Sequence, residues 1–490
     1  MWRYESALAT PDAERFLATL NAHAGFFAPE RPVVVGRAPG RLDLMGGIAD
    51  YSGALVLELP LALATFAAVQ GAPEPAIVVR SLGASDLGAA PEVAYQLADL
   101  GAPGRPIEYA AARALFGADA RASWAAYVLG CLVVLMRERG LAPAAGLRIL
   151  VGSEVPPGKG VSSSAAIEVA AMAALATHYG LALGGRELAI LCQRAENLVV
   201  GAPCGVMDQM TAACGQAGSL MALLCQPAEL QAPVALPRGL EVWGIDSGIS
   251  HAVSGADYGS VRVGAFMGYR IIADLAGLPV RPDGAGRVAI DDARWGGYLA
   301  NIAPSLWEQH FRARVPERIG GAEFLERYGG FTDAVTRVEP SRGYAVRQPT
   351  AHPIYEHARV RLFRALLERL PEDEAGDSAR AQEAAELLGE LMYQSHASYS
   401  ACGLGADGTD RLVELARAAG VAAGVYGAKI TGGGSGGTVA LLARAGSEQA
   451  IRAIAAAYAR ESGQPATLIG GSSPGAAALG TARLAWGEGE

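Results

Sequence analysis

The chain has 490 residues, of which 51% are apolar and 18% charged, with a formal net charge of −9 and six cysteines. Such a length exceeds one ordinary core and implies two lobes. The negative charge argues against a broad nucleic-acid surface, leaving room for a local phosphate site. The apolar runs are broken by Arg, Gly or Pro before they reach bilayer length, and MWRYESALATPDAERF lacks the apolar core of a secretory signal. The cysteines are scattered, without a CxxC pair or metal-ligand spacing. A soluble, cytoplasmic protein with reduced thiols and no membrane or nucleic-acid partner is expected.

In chain order, PVVVGRAPGRL reads as a strand ending in a Gly/Pro turn, and GALVLELPLALATFAAVQG as a second strand with its extension. Residues 72–121 are rich in Ala, Pro and Gly with weak periodicity and read as a surface insertion. A helix is expected from Trp124 to Arg137. GLRILVGSEVPPGKGVSSSAAIEVAAMAALATHYGL then reads as strand, glycine loop and alanine-rich helix. The next helix, RELAILCQRAENLVVG, carries an apolar stripe of Leu188, Leu191, Cys192, Ala195, Leu198 and Val199, with Glu196 on its flank. CQPAELQAPVALPRG marks the lobe boundary, dividing the chain into an N-terminal lobe, 1–235, and a C-terminal lobe, 236–490. The second lobe mixes the strands LEVWGIDSG and GTVALLARA with helices at 354–370, 381–398 and 409–419. The fold class is α+β without an internal repeat.

Four clusters carry the chemistry. PPGKGVSSSAA joins a strand to a helix through glycines and serines, so N–H groups and hydroxyls converge at a helix N-terminus, a geometry that binds anions. Lys159 is followed by Gly160, which excludes the Walker-type loop; a plain serine-capped helix is the structural alternative. GAKITGGGSGG places glycines where each costs ~1 kcal/mol relative to alanine inside a regular element, which argues for a close backbone approach over a flexible linker. APGRLDLMGGIADYSG groups Arg41, Asp43, Asp50 and Tyr51 around the Gly46-Gly47 turn, suited to a small ligand. GAPCGVMDQM puts Asp208 in the first turn of a short helix, where the dipole favours a carboxylate whether or not it has a function. The only two lysines, Lys159 and Lys429, both read as lying inside glycine-rich loops, as if a compact charge were wanted there, with chance and a steric limit beside glycine as the alternative.

Taken together, these clusters resemble the three motifs and catalytic aspartate segment of the GHMP kinases, the superfamily of galactokinase, homoserine kinase and mevalonate kinase. The likeness runs from about Val33 to Gly480. A finer likeness to plant-type L-arabinokinases lies in GGIADYSG, VGAPCGVMDQMTAACG, GIDSGISHAVSGADY, HPIYEHARV and YSACGLGADGT. The resemblance implies a two-lobed fold, the first lobe like ribosomal protein S5 domain 2, with the active site between the lobes. It also implies ATP as co-substrate, Mg²⁺ as cofactor and a monosaccharide as acceptor. Gly158, Lys159, Gly160, Val161, Ser162, Ser163 and Ser164 would wrap the ATP phosphates, with Ser164 and Glu196 holding Mg²⁺. Asp208 would be the catalytic base with Arg41 beside it, and Asp50 and Tyr258 would bind the sugar. Galactokinases read Glu-His-Thr-Asp where this chain has Gly47-Ile48-Ala49-Asp50; in that family the Glu and His address the hydroxymethyl arm of galactose. Gly47 and Ile48 therefore point to L-arabinose, which has the same ring without the arm. Galactose or another monosaccharide is the alternative acceptor, and a non-catalytic sugar sensor is the alternative of another class.

Overall fold

Runs of β-branched and apolar residues open the first lobe, and every residue from Val33 to Met45 is buried. The computed structural model describes residues 1–6, 8–102, 104–249, 258–284, 286–370 and 379–487. The first sheet contains β1 (Trp2–Ser6), β2 (Val33–Met45), β3 (Leu55–Ala72), β4 (Ala76–Ser81), β5 (Glu92–Gln96), β6 (Gly146–Ser153) and β7 (Ser219–Leu224). β3 pairs antiparallel with β2, β6 and β7. β2 does not stop at the Gly/Pro pair as expected. It runs through Pro39 and Gly40 and absorbs them as register shifts between Pro39 and Arg41 and again between Asp43 and Met45. A proline without an N–H is tolerated at such irregularities.

The segment 72–121 is not a surface insertion. β4 lies parallel to β6, with Ile77 opposite Leu147 and Val79 opposite Ile149, and β5 extends the edge. Ile77, Val79, Leu100 and Phe116 are buried in the main core of the lobe. Only every second residue of β4 is apolar and buried, a period too short to stand out in that alanine- and glycine-rich stretch. Helices α1 (Ala126–Glu138), α2 (Ser163–His178), α3 (Gly185–Arg194) and α4 (Met207–Cys214) cover one face of the sheet.

The second sheet consists of β8 (Leu240–Asp246), β9 (Val425–Ile430), β10 (Thr438–Arg444) and β11 (Thr467–Ile469), in the order β9-β10-β8-β11. Around it are α5 (Tyr258–Leu275), α6 (Arg347–Leu367), α7 (Ala379–Ala401), α8 (Asp407–Ala419) and α9 (Glu448–Ser462). Between α5 and α6, the described residues of 276–346 form short strands, turns and short helices, among them Trp307–Phe311 and Gly321–Tyr328, that bury Trp295, Trp307, Phe311 and Phe324 with residues of α5 in a core of their own. The last strand, β12 (Thr481–Trp486), returns to the first sheet between β1 and β2. A single cut at 235/236 therefore leaves one strand of the first sheet on the wrong side. Its apolar Ala482 and Leu484 have their partners in the first lobe, a pairing that sequence order does not reveal.

Candidate active site

The expected glycine loop leading into a helix forms, with Gly158, Gly160 and Ser162 all at positive φ just before α2. Val161 is buried, whereas Ser163 and Ser164 open the helix partly exposed. The glycines of the GAKITGGGSGG cluster lie against this loop. A Cβ on Gly437 would stand 2.6 Å from the Lys159 carbonyl oxygen, and one on Gly432 would stand 2.7 Å from that of Gly160. The Thr438 hydroxyl donates to the Lys159 carbonyl at 2.8 Å. Two backbones are in contact here, which only glycine permits. Lys159 Nζ lies 3.4 Å from Asp246 Oδ2. Lys429 departs from the expectation of a loop residue. It is on β9, fully buried, with Nζ 2.7 Å from Asp43 Oδ2. Asp43 also accepts from the Tyr399 hydroxyl at 3.0 Å and from the Gly47 N–H at 3.1 Å.

Arg41 from β2 and Asp208 from α4 meet in a two-pronged pair, with Nε to Oδ1 and Nη2 to Oδ2 both at 2.9 Å. Arg41 also donates to the Gly160 carbonyl at 2.7 Å, and the Ser162 hydroxyl donates to Asp208. Beneath them Glu58 approaches Arg41 to 3.2 Å, within ion-pair distance but without hydrogen-bond geometry. Burial alone would lower the Arg41 pKa, yet Asp208, Glu58 and Asp43 together raise it. The guanidinium is thus a fixed cation, while the Asp208 side chain keeps 23% of its surface exposed.

Glu196 is buried on a π-helical turn, Ala195–Val200, that continues α3. An α-helical reading puts it on a flank, whereas the wider turn turns it inward; such turns recur at functional sites. Burial, with Asp208 nearby, pushes its carboxyl up to about 7, opposed by hydrogen bonds from Cys204, Ser164 and Gln209. Gln209 Nε2 bridges Glu196 Oε2 at 2.5 Å and Glu168 Oε2 at 3.0 Å. None of these partners is a cation. Among the described residues no group of three or more His, Cys, Asp or Glu side chains is arranged to hold a metal alone. A buried carboxylate and a hydroxyl do fit a hard cation whose remaining ligands are phosphate oxygens and water.

Asp50 sits at the end of the glycine turn, buried, with Oδ1 lacking a partner among the described residues. Burial and then Asp208 raise its pKa to about 6, against the pull of Arg262. Gly205 crosses directly over it, since a Cβ there would fall 1.5 Å from Asp50 Oδ2. Tyr258, the first residue of α5, packs edge-on against Tyr51 with ring centroids 5.7 Å apart. Ile48 is held at φ 50 in a buried cluster with Tyr399, Val261 and Leu404 that Tyr258 joins. Gly47 has no room for a side chain, for a Cβ would stand 1.9 Å from the Tyr399 hydroxyl and 2.0 Å from Asp43 Oδ2. The rest of the GIDSGISHAVSGADY segment, residues 250–257, lies outside the described residues.

Sequence reasoning missed Gln209, Glu168, Arg262 and the Asp43–Lys429 pair. Gln209 directly follows Asp208, and Arg262 lies one helical turn after Tyr258 on the same face, so both could have been suspected. The Asp43–Lys429 contact spans 386 residues and had no local signal.

The site brings together a glycine- and serine-rich loop at a helix N-terminus, a carboxylate paired with a buried arginine, and a polar pocket beside them. Family models match in the same order: the galactokinase galactose-binding signature over residues 21–71, the GHMP kinases N terminal domain over 126–216 and the GHMP kinases C terminal over 378–460. The chain is 43% identical to an L-arabinokinase of Arabidopsis thaliana across 94% of its own length, and spans 48% of that protein. It is 31% identical to a galactokinase of Streptomyces coelicolor, covering 87% of this chain and 89% of that protein. Lactococcus lactis galactokinase complexed with galactose shares the fold with a TM-score of 0.70 at 20% identity, over 94% of this chain and 99% of that one. The chain belongs to the GHMP kinases, among the galactokinase-like sugar kinases. No helix of the described residues is long and apolar enough to cross a membrane.

Proposed function

We propose that this chain transfers the γ-phosphoryl group of ATP to the anomeric oxygen of L-arabinose, giving ADP and β-L-arabinose 1-phosphate. The observation that carries the reading is the Arg41–Asp208 pair, tied to the phosphate loop through Gly160 and Ser162 and facing Asp50. Phosphoryl transfer asks mainly for in-line placement and compensation of charge. Residues 158–164 cradle the phosphates with N–H groups and hydroxyls. Asp208 accepts the proton of the anomeric hydroxyl as that oxygen bonds to phosphorus and the bond to the ADP oxygen breaks. Arg41 keeps Asp208 ionised and offsets negative charge on the transferred group. Ser164 and Glu196 would hold Mg²⁺, which would supply positive charge to offset that of the phosphates. Asp50 and Tyr258 hold the sugar.

Two points support arabinose over galactose. Identity to the Arabidopsis L-arabinokinase, 43%, exceeds that to the Streptomyces coelicolor galactokinase, 31%. Gly47 and Ile48 also provide no polar side chain for an exocyclic hydroxyl, which would stay unpaired at a cost of roughly 1–3 kcal/mol. Initial rates of ADP release, with the product identified by NMR, should give L-arabinose a kcat/KM roughly 10- to 1,000-fold above that of D-galactose. Equal or better efficiency with galactose would make the protein a galactokinase. For the metal, Glu196→Gln should need clearly more Mg²⁺ for half-maximal rate and bind MgATP more weakly by calorimetry, with ATP in EDTA unaffected. Unchanged Mg²⁺ dependence would remove Glu196 from that role.

A further inference from the structure

Arg262 sits on α5 one turn beyond Tyr258, buried, and its three nitrogens are all engaged. Nε and Nη2 each donate to Asp333 at 2.8 Å, and Nη1 donates to the Cys204 carbonyl at 3.3 Å. Its guanidinium lies 5.4 Å from the ring centroid of Tyr51 and 5.7 Å from that of Phe266. Asp333 belongs to the 276–346 segment and is itself fixed by the Thr336 hydroxyl at 2.6 Å and by the N–H groups of Val335 and Thr336, each at 3.2 Å. Other contacts bring the same segment onto the glycine turn. The Tyr298 ring covers Gly53, and Asn301 pairs at 2.8 Å with Gln226, whose amide donates to the Gly53 carbonyl at 2.7 Å.

We propose that Asp333 and Arg262 are positioning residues of the sugar site, a clamp by which the 276–346 segment sets the distance between Asp50 and the loop that leads to Asp208. Cys204 immediately precedes Gly205, the residue crossing over the Asp50 carboxylate. By gripping the Cys204 carbonyl and stacking on Tyr51, Arg262 holds both walls of the pocket. The same cation, bound to a carboxylate outside the pocket, offsets the charge of Asp50 without occupying the acceptor oxygen that Asp50 leaves free. A monovalent point charge such as lysine cannot make the forked contact to Asp333 and reach Cys204 as well. Arg262 and Asp333 themselves touch neither the serine loop nor Glu196. The grip is on the Cys204 carbonyl while the Cys204 side chain is what meets Glu196, so the larger effect falls on sugar and the smaller on nucleotide.

This inference rests on the sugar kinase reading, and its test separates the two. Breaking one partner of a buried ion pair is strongly destabilising, whereas replacing both by apolar residues of similar volume is often neutral. We expect Asp333→Asn and Arg262→Lys to raise the sugar KM roughly 10- to 100-fold with kcat and the ATP KM within about threefold. The double variant Arg262→Met with Asp333→Leu should recover the wild-type Tm and keep the raised sugar KM. Recovery of both Tm and sugar KM in the double variant would overturn the proposal, since the pair would then serve stability alone. So would an ATP KM that rises in step with the sugar KM, or an unchanged sugar KM in the single variants. Absence of ADP release by the wild-type protein with any monosaccharide would overturn the kinase reading and the clamp together.

Discussion

Asp50 is kept nearly out of water, and its pKa, raised from the ordinary 3.8 to about 6 by burial and by Asp208, describes an unfavourable charge. A raised carboxyl pKa means that the folded state holds its proton more tightly than the unfolded chain. The charge therefore costs stability above pH 6, on the order of 1–3 kcal/mol, and the cost fades as pH falls towards 4. Asp50→Asn should accordingly be more stable than wild type at pH 7.5, with the gain shrinking to nothing near pH 4, as urea unfolding across that range will measure. The same variant should bind sugar poorly, and the wild-type sugar KM should climb as pH drops below about 6. Asp208 obeys a different logic. It is matched by Arg41 and partly open to solvent, so Asp208→Asn should fold and bind ATP while turnover falls roughly 10²- to 10⁴-fold. Unchanged turnover with an unchanged Tm would leave Asp208 as no more than a helix-start carboxylate.

At the scale of elements, the site is the meeting of two loops and a turn, each held by backbone contacts that side chains would forbid. Gly437, at φ +80 and in contact with Lys159, is the tightest test. Gly437→Ala should lower stability by about 1–3 kcal/mol and, on the proposed reading, weaken ATP binding about tenfold by displacing the loop before α2. Calorimetric titration with ATP and with sugar separates that effect from general damage, because sugar affinity should change less. The glycine turn is equally closed. Gly47→Glu, the simplest attempt to build a galactose-type contact, would drive its Cβ into Tyr399 and Asp43. It should lose several degrees of Tm and activity on both sugars, without gaining galactose activity. Asp43, Lys429 and Tyr399 thus explain why position 47 is glycine: they link β2, β9 and α7 in one buried ionic network.

Across the whole molecule, the two sheets do not divide the chain into consecutive halves. β12 hydrogen-bonds to both β1 and β2, and its Ala482 and Leu484 are buried with Trp2, Val33 and Val35. Deleting residues 481–490 should therefore expose the edge of β2 and destabilise the first lobe, lowering Tm by more than about 10 °C or abolishing soluble expression. A truncated protein with wild-type Tm and activity would show that the strand is dispensable. The described residues of 276–346, with their own aromatic core, reach α5 through Asp333 and the glycine turn through Tyr298 and Asn301, so this side of the turn is built by a segment far from every glycine motif.

The sequence by itself determined the glycine loop before α2, the order of the four clusters, the helix start at Asp208 and the family. Each is a local pattern of glycine, serine and carboxylate that needs no distant partner. Only the tertiary structure decided the rest. Glu196 is turned inward by a π-helical turn that the α-helical period conceals. β4 and β5 become part of the sheet because β6 offers them a parallel edge. Lys429 serves Asp43 and not a loop, and Arg262 reaches Asp333 across 71 residues. In all four cases the deciding free energy is that of desolvating a charged or apolar group, and it depends on which partner arrives from elsewhere in the chain.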